Sequence, residues 1–377
     1  MADGVPPLAA EIRQLISIAG PMPVRHFMSL CLTHAQHGYY MTRDPFGADG
    51  DFTTAPEISQ MFGELIGLWV ALTWRRMGSP NRFRLVEMGP GRGTMMLDAI
   101  RASRVMPEFH KALFVHLVET SPVLQRRQRQ IISGLDVPVA WHESFADIPE
   151  GPAIVVANEF LDALPINQVI KKDSAWHERV VDVDADGNFV FSITPDPLAH
   201  FAGTLPPNIR DAPDGSIFEW RPNDFMLALA SRLVREGGAA LLIDYGHVES
   251  GTGDTFQAVR SHRFTNPLNA PGQTDLTAHV DFQALTSDAE IMGARVHGPI
   301  KQREFLQRMG IDARAQALKA VLSPEKAAEI DAAHARLTAS SATGMGDLFK
   351  VIAISHPELD TLPAFDMKID AAAAHAP

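Results

Sequence analysis

The spacing of apolar side chains changes character at residue 83, and that change organises the chain. Before it, residues 8–19 carry apolar side chains at helical spacing until Gly20-Pro21 ends the pattern. A second helix is predicted from Val24 to a point before the turn at Gly38. A long apolar helix is predicted over 56–77, with Pro56 in its first turn. After it, short apolar runs recur at 83–88, 114–119, 137–141, 153–157 and 239–244. Helical stretches at 93–105 and 122–133 separate the first three of these runs. Strands without alternation, spaced by helices, predict βαβ units in a parallel sheet covered on both faces. The right-handedness of such units makes the expected fold an α/β, Rossmann-like, doubly wound sheet.

Two stretches interrupt this rhythm. Residues 166–195 read as an inserted β-hairpin, with Val180–Val183 and Phe189–Ile193 flanking the turn Asp184-Ala185-Asp186-Gly187-Asn188. The acids of that turn imitate the opening of a calcium loop, but Ile193 stands where a bidentate Glu is required, so calcium is rejected. Residues 301–344 are rich in Ala, Arg and Glu and read as a helical insertion; an apolar strand follows at 346–355. The expected organisation is an N-terminal helical region and lid (1–80), a core (81–300 with 345–357), the helical insertion (301–344) and a tail (358–377). The tail is expected to fray from about Asp370.

Composition narrows the function without fixing it. With 46% hydrophobic and 21% charged residues, the chain has the make-up of a soluble globular protein, and no apolar run approaches the roughly 20 residues of a membrane span. The start of the chain shows neither a secretory signal nor the Arg-rich character of a transit peptide, so the expected location is the cytoplasm. A single cysteine, Cys31, excludes an internal disulfide. A net charge of −12 argues against nucleic acid, whose binders display a basic face, and favours a small molecule or a basic protein segment.

The densest chemistry lies in Glu87-Met88-Gly89-Pro90-Gly91-Arg92-Gly93, between an apolar strand and a helix. Glycines there let the backbone turn sharply and approach a ligand beside the free N–H groups of the helix start. A dinucleotide fingerprint requires Gly-x-Gly-x-x-Gly, and this spacing is Gly-x-Gly-x-Gly. Glu87 repels a pyrophosphate and suits a cationic ligand such as S-adenosylmethionine, with its sulfonium and ammonium groups. The bland alternative is a tight Gly-Pro turn without a ligand. Glu119 ends the next strand, where a carboxylate can accept ribose hydroxyls or simply be solvated. Ser144 and Phe145 follow the third strand, in position to bracket an adenine, although Phe145 suits core packing equally.

The fourth strand runs into Asn158-Glu159-Phe160-Leu161-Asp162. Carboxyl ends of parallel strands are where this architecture places ligands, so Asn158, Glu159 and Asp162 are the candidate catalytic residues. Carboxylates orient a guanidinium and hold its charge; the alternative for Asp162 is a cap for the following segment. The stretch 37–59 is dense in Gly, Pro, acids and aromatics and can fold over a cofactor, which adds Thr54 and Pro56 to the candidate cofactor residues. Tyr39, Tyr40 and Tyr245 offer aromatic faces to a sulfonium or guanidinium, with core packing as the alternative for each. His279, between Asp275 and Asp281, belongs to a loop over the site; the spacing matches no standard metal site, and no metal is expected.

Taken in order, His37-Gly38-Tyr39-Tyr40, Gly50-Asp51-Phe52-x-Thr54-Ala55-Pro56-Glu57-Ile58-Ser59, the glycine turn, Asn158-Glu159-x-x-Asp162-Ala163-Leu164-Pro165, Asp244-Tyr245-Gly246 and Asp275-Leu276-Thr277-x-x-Val280-Asp281-Phe282 resemble the MidA-like methyltransferase family from about residue 10 to 357. The resemblance implies a class I methyltransferase fold and S-adenosylmethionine as cofactor, held by Glu87, Gly89, Gly91, Gly93 and Glu119. It also implies a protein arginine as methyl acceptor, with a respiratory complex I subunit as possible partner. The competing readings are a cofactor-binding assembly chaperone, a small-molecule methyltransferase, and an NAD(P) oxidoreductase, whose glycine spacing and Tyr-x-x-x-Lys pair are missing. Asn158-Glu159-Phe160 departs from the Asn/Asp-Pro-Pro-aromatic pattern of DNA amino-methylating enzymes.

Overall fold

The structure, a computed structural model, describes residues 6–45, 53–260, 263–341 and 344–365. Gly50, Asp51 and Phe52 of the family-like stretch, and the tail from Asp370, lie outside them. Seven strands form the path of the central sheet: β1 (Phe83–Met88), β2 (Leu113–Val118), β3 (Val139–His142), β4 (Ala153–Asn158), β5 (Gly238–His247), β6 (Arg295–Lys301) and β7 (Phe349–Ser355). Their spatial order is β3-β2-β1-β4-β5-β7-β6, with the two-residue strand Val280–Asp281 paired to the end of β5. The first five strands are parallel, and β7 enters antiparallel to both β5 and β6. This is the doubly wound α/β fold that the periodicity predicts.

Alternation along buried strands feeds two layers. In β4, Ile154 and Val156 pack on one face, while Ala153, Val155 and Ala157 pack on the other. The first layer is covered by α3 (Gln60–Arg76) and α4 (Thr94–Ala102), the second by α6 (Asp224–Glu236) and α7 (Phe282–Ile291). A further helix, α5 (Pro122–Ile132), follows β2. The helix expected over 56–77 is divided: a turn at Ala55–Ile58 precedes α3, because Ser59 adopts extended backbone and its Oγ caps α3 by accepting from the Met61 N–H.

The expected hairpin at 166–195 is part of a larger structure. Asn167–Lys172, Ala175–Val183, Phe189–Ile193 and Ile217–Trp220 join Met22–Pro23 in a second, antiparallel sheet. The Asp184 carboxylate accepts from the Asp186 and Asn188 N–H groups, closing the turn that resembles a calcium loop. Helices α1 (Pro7–Ala19) and α2 (Val24–Thr33) pack on this sheet, where Ile12, Phe27 and Leu32 share a core with Ile166 and Val181. The N-terminal region is therefore welded to the inserted sheet. Helices Gln302–Arg308, Ile311–Lys319 and Pro324–Thr338 lie between β6 and β7. The stretch 358–365 is not a loose tail: Leu362 is buried, and the Pro363 carbonyl accepts from the Trp69 indole.

Candidate active site

Every strand that carries chemistry ends on the same edge of the sheet. At the end of β1, Gly89 and Gly91 take φ values of +59° and +54°, the left-handed region that side chains disfavour, and the chain then enters α4 at Thr94. Beside this turn opens a cavity of about 660 Å³. Gly89 and Gly91 (after β1), Glu119 (after β2), Ser144 and Phe145 (after β3), Glu159 and Asp162 (after β4) and Tyr245 (in β5) all line it. A second cavity of about 40 Å³ lies against the other side of the glycine turn, between Thr54, Pro56, Glu87, Asn158 and Glu159.

The carboxylates around these cavities are buried, and burial sets their acidity. Glu87 is 2% exposed, and its pKa is pushed up to about 8 by desolvation and by the neighbouring charge of Glu119. Among the described residues its Oε2 has no hydrogen-bond partner. Burial also lifts Glu119 to about 7, partly offset by hydrogen bonds to its oxygens from the Ser121 N–H (2.8 Å) and Gln128 Nε2 (3.1 Å). Glu159 is raised to about 7 by burial, while its Oε1 accepts from the Ala55 N–H and from Asn158 Nδ2, both at 3.1 Å. Asp162 and Asp244 are raised by burial as well. Asp244 fixes the loop after β4: its Oδ2 accepts from the N–H groups of Leu161 (2.9 Å) and Asp162 (3.1 Å). Buried Arg221 pins the same loop from outside, donating to the carbonyls of Asp162, Ala278 and His279.

The N-terminal segment closes over the glycine turn through polar ties. Arg92 pairs with Asp44 at 2.9 Å and Glu57 at 3.5 Å, and Thr94 Oγ1 donates to Glu57 Oε1 at 2.6 Å. Ser121 donates to the Tyr40 carbonyl, and the Tyr40 hydroxyl donates to Asp275 Oδ1 at 2.8 Å. Tyr40 and Asp275 thereby enter the cavity wall as a unit.

Three of the candidate residues do not reach either cavity. Tyr39 is fully buried in the N-terminal core beneath the Arg43 guanidinium, which corrects its assignment to substrate. His279 is likewise corrected: it lines neither cavity, its N–H donates to Thr255 Oγ1, and its ring meets Tyr245 edge-on, 5.5 Å away. Gly93 lines neither cavity, and a Cβ there would face Gln128 and Ile132 of α5. Asp275 and Asp281 are separated by their partners, Tyr40 for the first and the helix-capping Ala284 N–H for the second. Among the described residues, no three His, Cys, Asp or Glu side chains gather as a metal site. Sequence reasoning missed Phe225, which lines the cavity at the start of α6 and packs against both Phe145 and Phe160, and it missed Arg221. No local motif marks either residue.

Comparison with known proteins decides the family. The family model for S-adenosyl-L-methionine-dependent methyltransferases matches residues 65–300. The chain belongs to that family. It is 39% identical to the mitochondrial protein arginine methyltransferase NDUFAF7 homolog of Drosophila melanogaster, over 92% of this chain and 84% of that protein. It is 35% identical to NDUFAF7 of Homo sapiens, over 83% and 76% of the two chains. A crystal structure from Burkholderia thailandensis, solved bound to S-adenosyl-homocysteine, superposes with a TM-score of 0.82 at 30% identity, covering 97% of this chain and 96% of that one. The protein is an S-adenosylmethionine-dependent methyltransferase. The cytoplasmic location expected from the sequence does not stand, because these curated relatives are named as mitochondrial.

The residues present fit the cofactor. Among the described residues Glu87 Oε2 is an unpartnered acceptor suited to an ammonium group, both Glu119 oxygens retain lone pairs for hydroxyls, and a Cβ at Gly89 would stand 3.0 Å from the Phe160 ring in the cavity wall. When bound, the cofactor supplies a methyl group on a positively charged sulfur.

Proposed function

We propose that this methyltransferase acts on a guanidinium nitrogen of an arginine presented by a protein substrate. The observation that carries the reading is the composition of the cavity below β4 and β5, where Glu159, Asp162 and Asp275 converge with Tyr40 and Tyr245. Cofactor-type residues occupy the strands to one side, and this acidic, aromatic group occupies the other. A guanidinium remains charged and offers five donors in a plane. Among the described residues Asp162 Oδ1 in that cavity, and Asn158 Oδ1 in the smaller one beside Glu159, have no hydrogen-bond partner and are acceptors for such donors. The tyrosine rings suit a delocalised cation.

In this reading Glu119, Ser144 and Phe145 orient the cofactor, with Thr54 and Pro56 over its far end, and Asn158, Glu159 and Asp162 orient the nitrogen in line with the methyl group. The nitrogen lone pair forms the new N–C bond as the S–C bond breaks, its electron pair staying on sulfur. The proton lost from nitrogen passes to a carboxylate, and in this reading Glu159, whose pKa burial raises to about 7, takes it. The relatives named as protein arginine methyltransferases support this reading. The net charge of −12 favours a basic protein segment over nucleic acid. A respiratory complex I subunit is the candidate partner, on the family resemblance. The test is incubation with S-adenosylmethionine and arginine-containing peptides, followed by acid hydrolysis and mass spectrometry. Methylarginine is expected; methyl groups on lysine or carboxylate, or none despite cofactor binding, would overturn the reading.

A further inference from the structure

A three-stranded sheet stands beside the acidic end of the cavity: Arg263–Thr265, Gln257–Arg260 and Asp275–Thr277, in that order. Directly opposed residues of neighbouring strands point to the same face. Phe264 opposes Val259, and Val259 opposes Asp275, so the three side chains form one row. The next row, Thr265, Ala258 and Leu276, points the other way, and Ala258 and Leu276 are buried in the N-terminal core. The face carrying Phe264 is thus the cavity face, and Asp275 and Val259 both line the cavity.

Exposure rises steadily along the row. Asp275 is 5% exposed, Val259 is half-buried and Phe264 is 77% exposed. Among the described residues, Phe264 is the aromatic one of the exposed large hydrophobic side chains, and it stands in register with the wall of the cavity.

We propose that Phe264 is the docking point for the protein substrate, receiving an apolar side chain close in sequence to the target arginine. The proposal rests on the arginine reading above and adds to it a sequence preference. Two strand spacings separate Asp275 from Phe264, about 10 Å, which an extended peptide covers in about three residues. The preferred apolar residue therefore lies within about three positions of the arginine. Arg260 and Arg263 form the adjacent row on the opposite face, which leaves the contact apolar.

The experiment uses the full chain, saturating S-adenosylmethionine and a peptide panel in which one leucine is moved through the positions flanking a single arginine in a Gly/Ser background. Wild type is expected to show a kcat/KM at least about tenfold higher when leucine stands at the favoured position, the gain expected for burying one apolar side chain. Phe264→Ser is expected to erase that preference through KM, with the rate on the leucine-free peptide and the cofactor Kd unchanged. Leucine-independent rates in wild type, or a preference that survives in Phe264→Ser, would overturn the docking proposal alone. Cofactor binding without methylation of any arginine peptide would overturn the arginine reading and the docking proposal with it.

Discussion

Glu159 is held in a conformation its residue type disfavours. Its φ of +50° belongs to the left-handed region, which costs a side-chain-bearing residue on the order of 1–3 kcal/mol. The surroundings enforce it: the Glu159 N–H donates to the Ile243 carbonyl at 2.9 Å, and the carboxylate is gripped by Ala55 and Asn158. Asp244 anchors the two residues that follow Phe160. The result is a carboxylate aimed between the two cavities, lining both. Glutamine at this position keeps the size and the hydrogen bond from Asn158 while removing the charge and the proton acceptor. Glu159→Gln is therefore expected to lower kcat by about 100-fold or more, the scale of a lost proton-transfer group, with S-adenosylmethionine affinity preserved within about twofold. Stopped methyl transfer alongside isothermal titration separates the two. A large loss of cofactor affinity would place Glu159 on the cofactor side and remove it from the methyl acceptor.

At the scale of elements, the turn at the end of β1 is only as well placed as the helices that carry it. Helix α4 leaves that turn and packs against α3 at Gly63 and Gly67, where a Cβ on Gly67 would stand 2.5 Å from the Ala99 carbonyl oxygen. That oxygen is backbone and cannot swing aside. Gly67→Ala is expected to destabilise by about 1–3 kcal/mol, the usual range for overpacking, whereas Gly203→Ala, with open space at its Cβ, should be close to neutral. Chemical denaturation of both variants checks this, and equal midpoints would mean that the helices move apart freely. The long apolar residues of α3 and the strands buried on both faces were legible in sequence because burial demands unbroken or strongly periodic apolar runs. Of the second sheet, only the hairpin of Val180–Val183 and Phe189–Ile193 was legible; Asn167–Lys172 and Ile217–Trp220 were not, since they mix polar and half-buried positions. Edge strand β6 carries Gly298-Pro299 and polar residues, which an edge tolerates and a pattern search passes over. In the site, acids at strand ends announced themselves beside a glycine turn. Arg221 and the pairing of Tyr40 with Asp275 did not, because each joins residues that only the finished fold brings together.

The whole molecule concentrates buried carboxylates around two cavities, and this links stability to pH and to the cofactor. Glu119 and Glu159 are raised to about 7 and Glu87 to about 8, from an ordinary glutamate value of 4.5. Between these limits the folded, ligand-free protein holds protons that the unfolded chain has released. Its stability from these groups is greatest near the low end of the window and falls as pH rises through it. A cation reverses the preference, because it favours the charged form of each carboxylate it meets. S-adenosylmethionine affinity is therefore expected to rise from about pH 6 to about pH 8, by up to about tenfold per unit for each proton released on binding. S-adenosyl-homocysteine, lacking the sulfonium charge, should show a shallower rise. The melting-temperature gain at fixed cofactor concentration should grow over the same range, since stabilisation by a ligand follows its concentration relative to Kd. Glu87→Gln removes the group with the highest value and should flatten the upper part of the curve. Calorimetric titration across that range decides the matter: proton release that tracks the affinity gain means Glu87 and Glu119 recognise the cation. A wild-type Kd that does not change with pH would mean that their protonation is the same with and without the cofactor, and that its charge is not recognised by proton release from them.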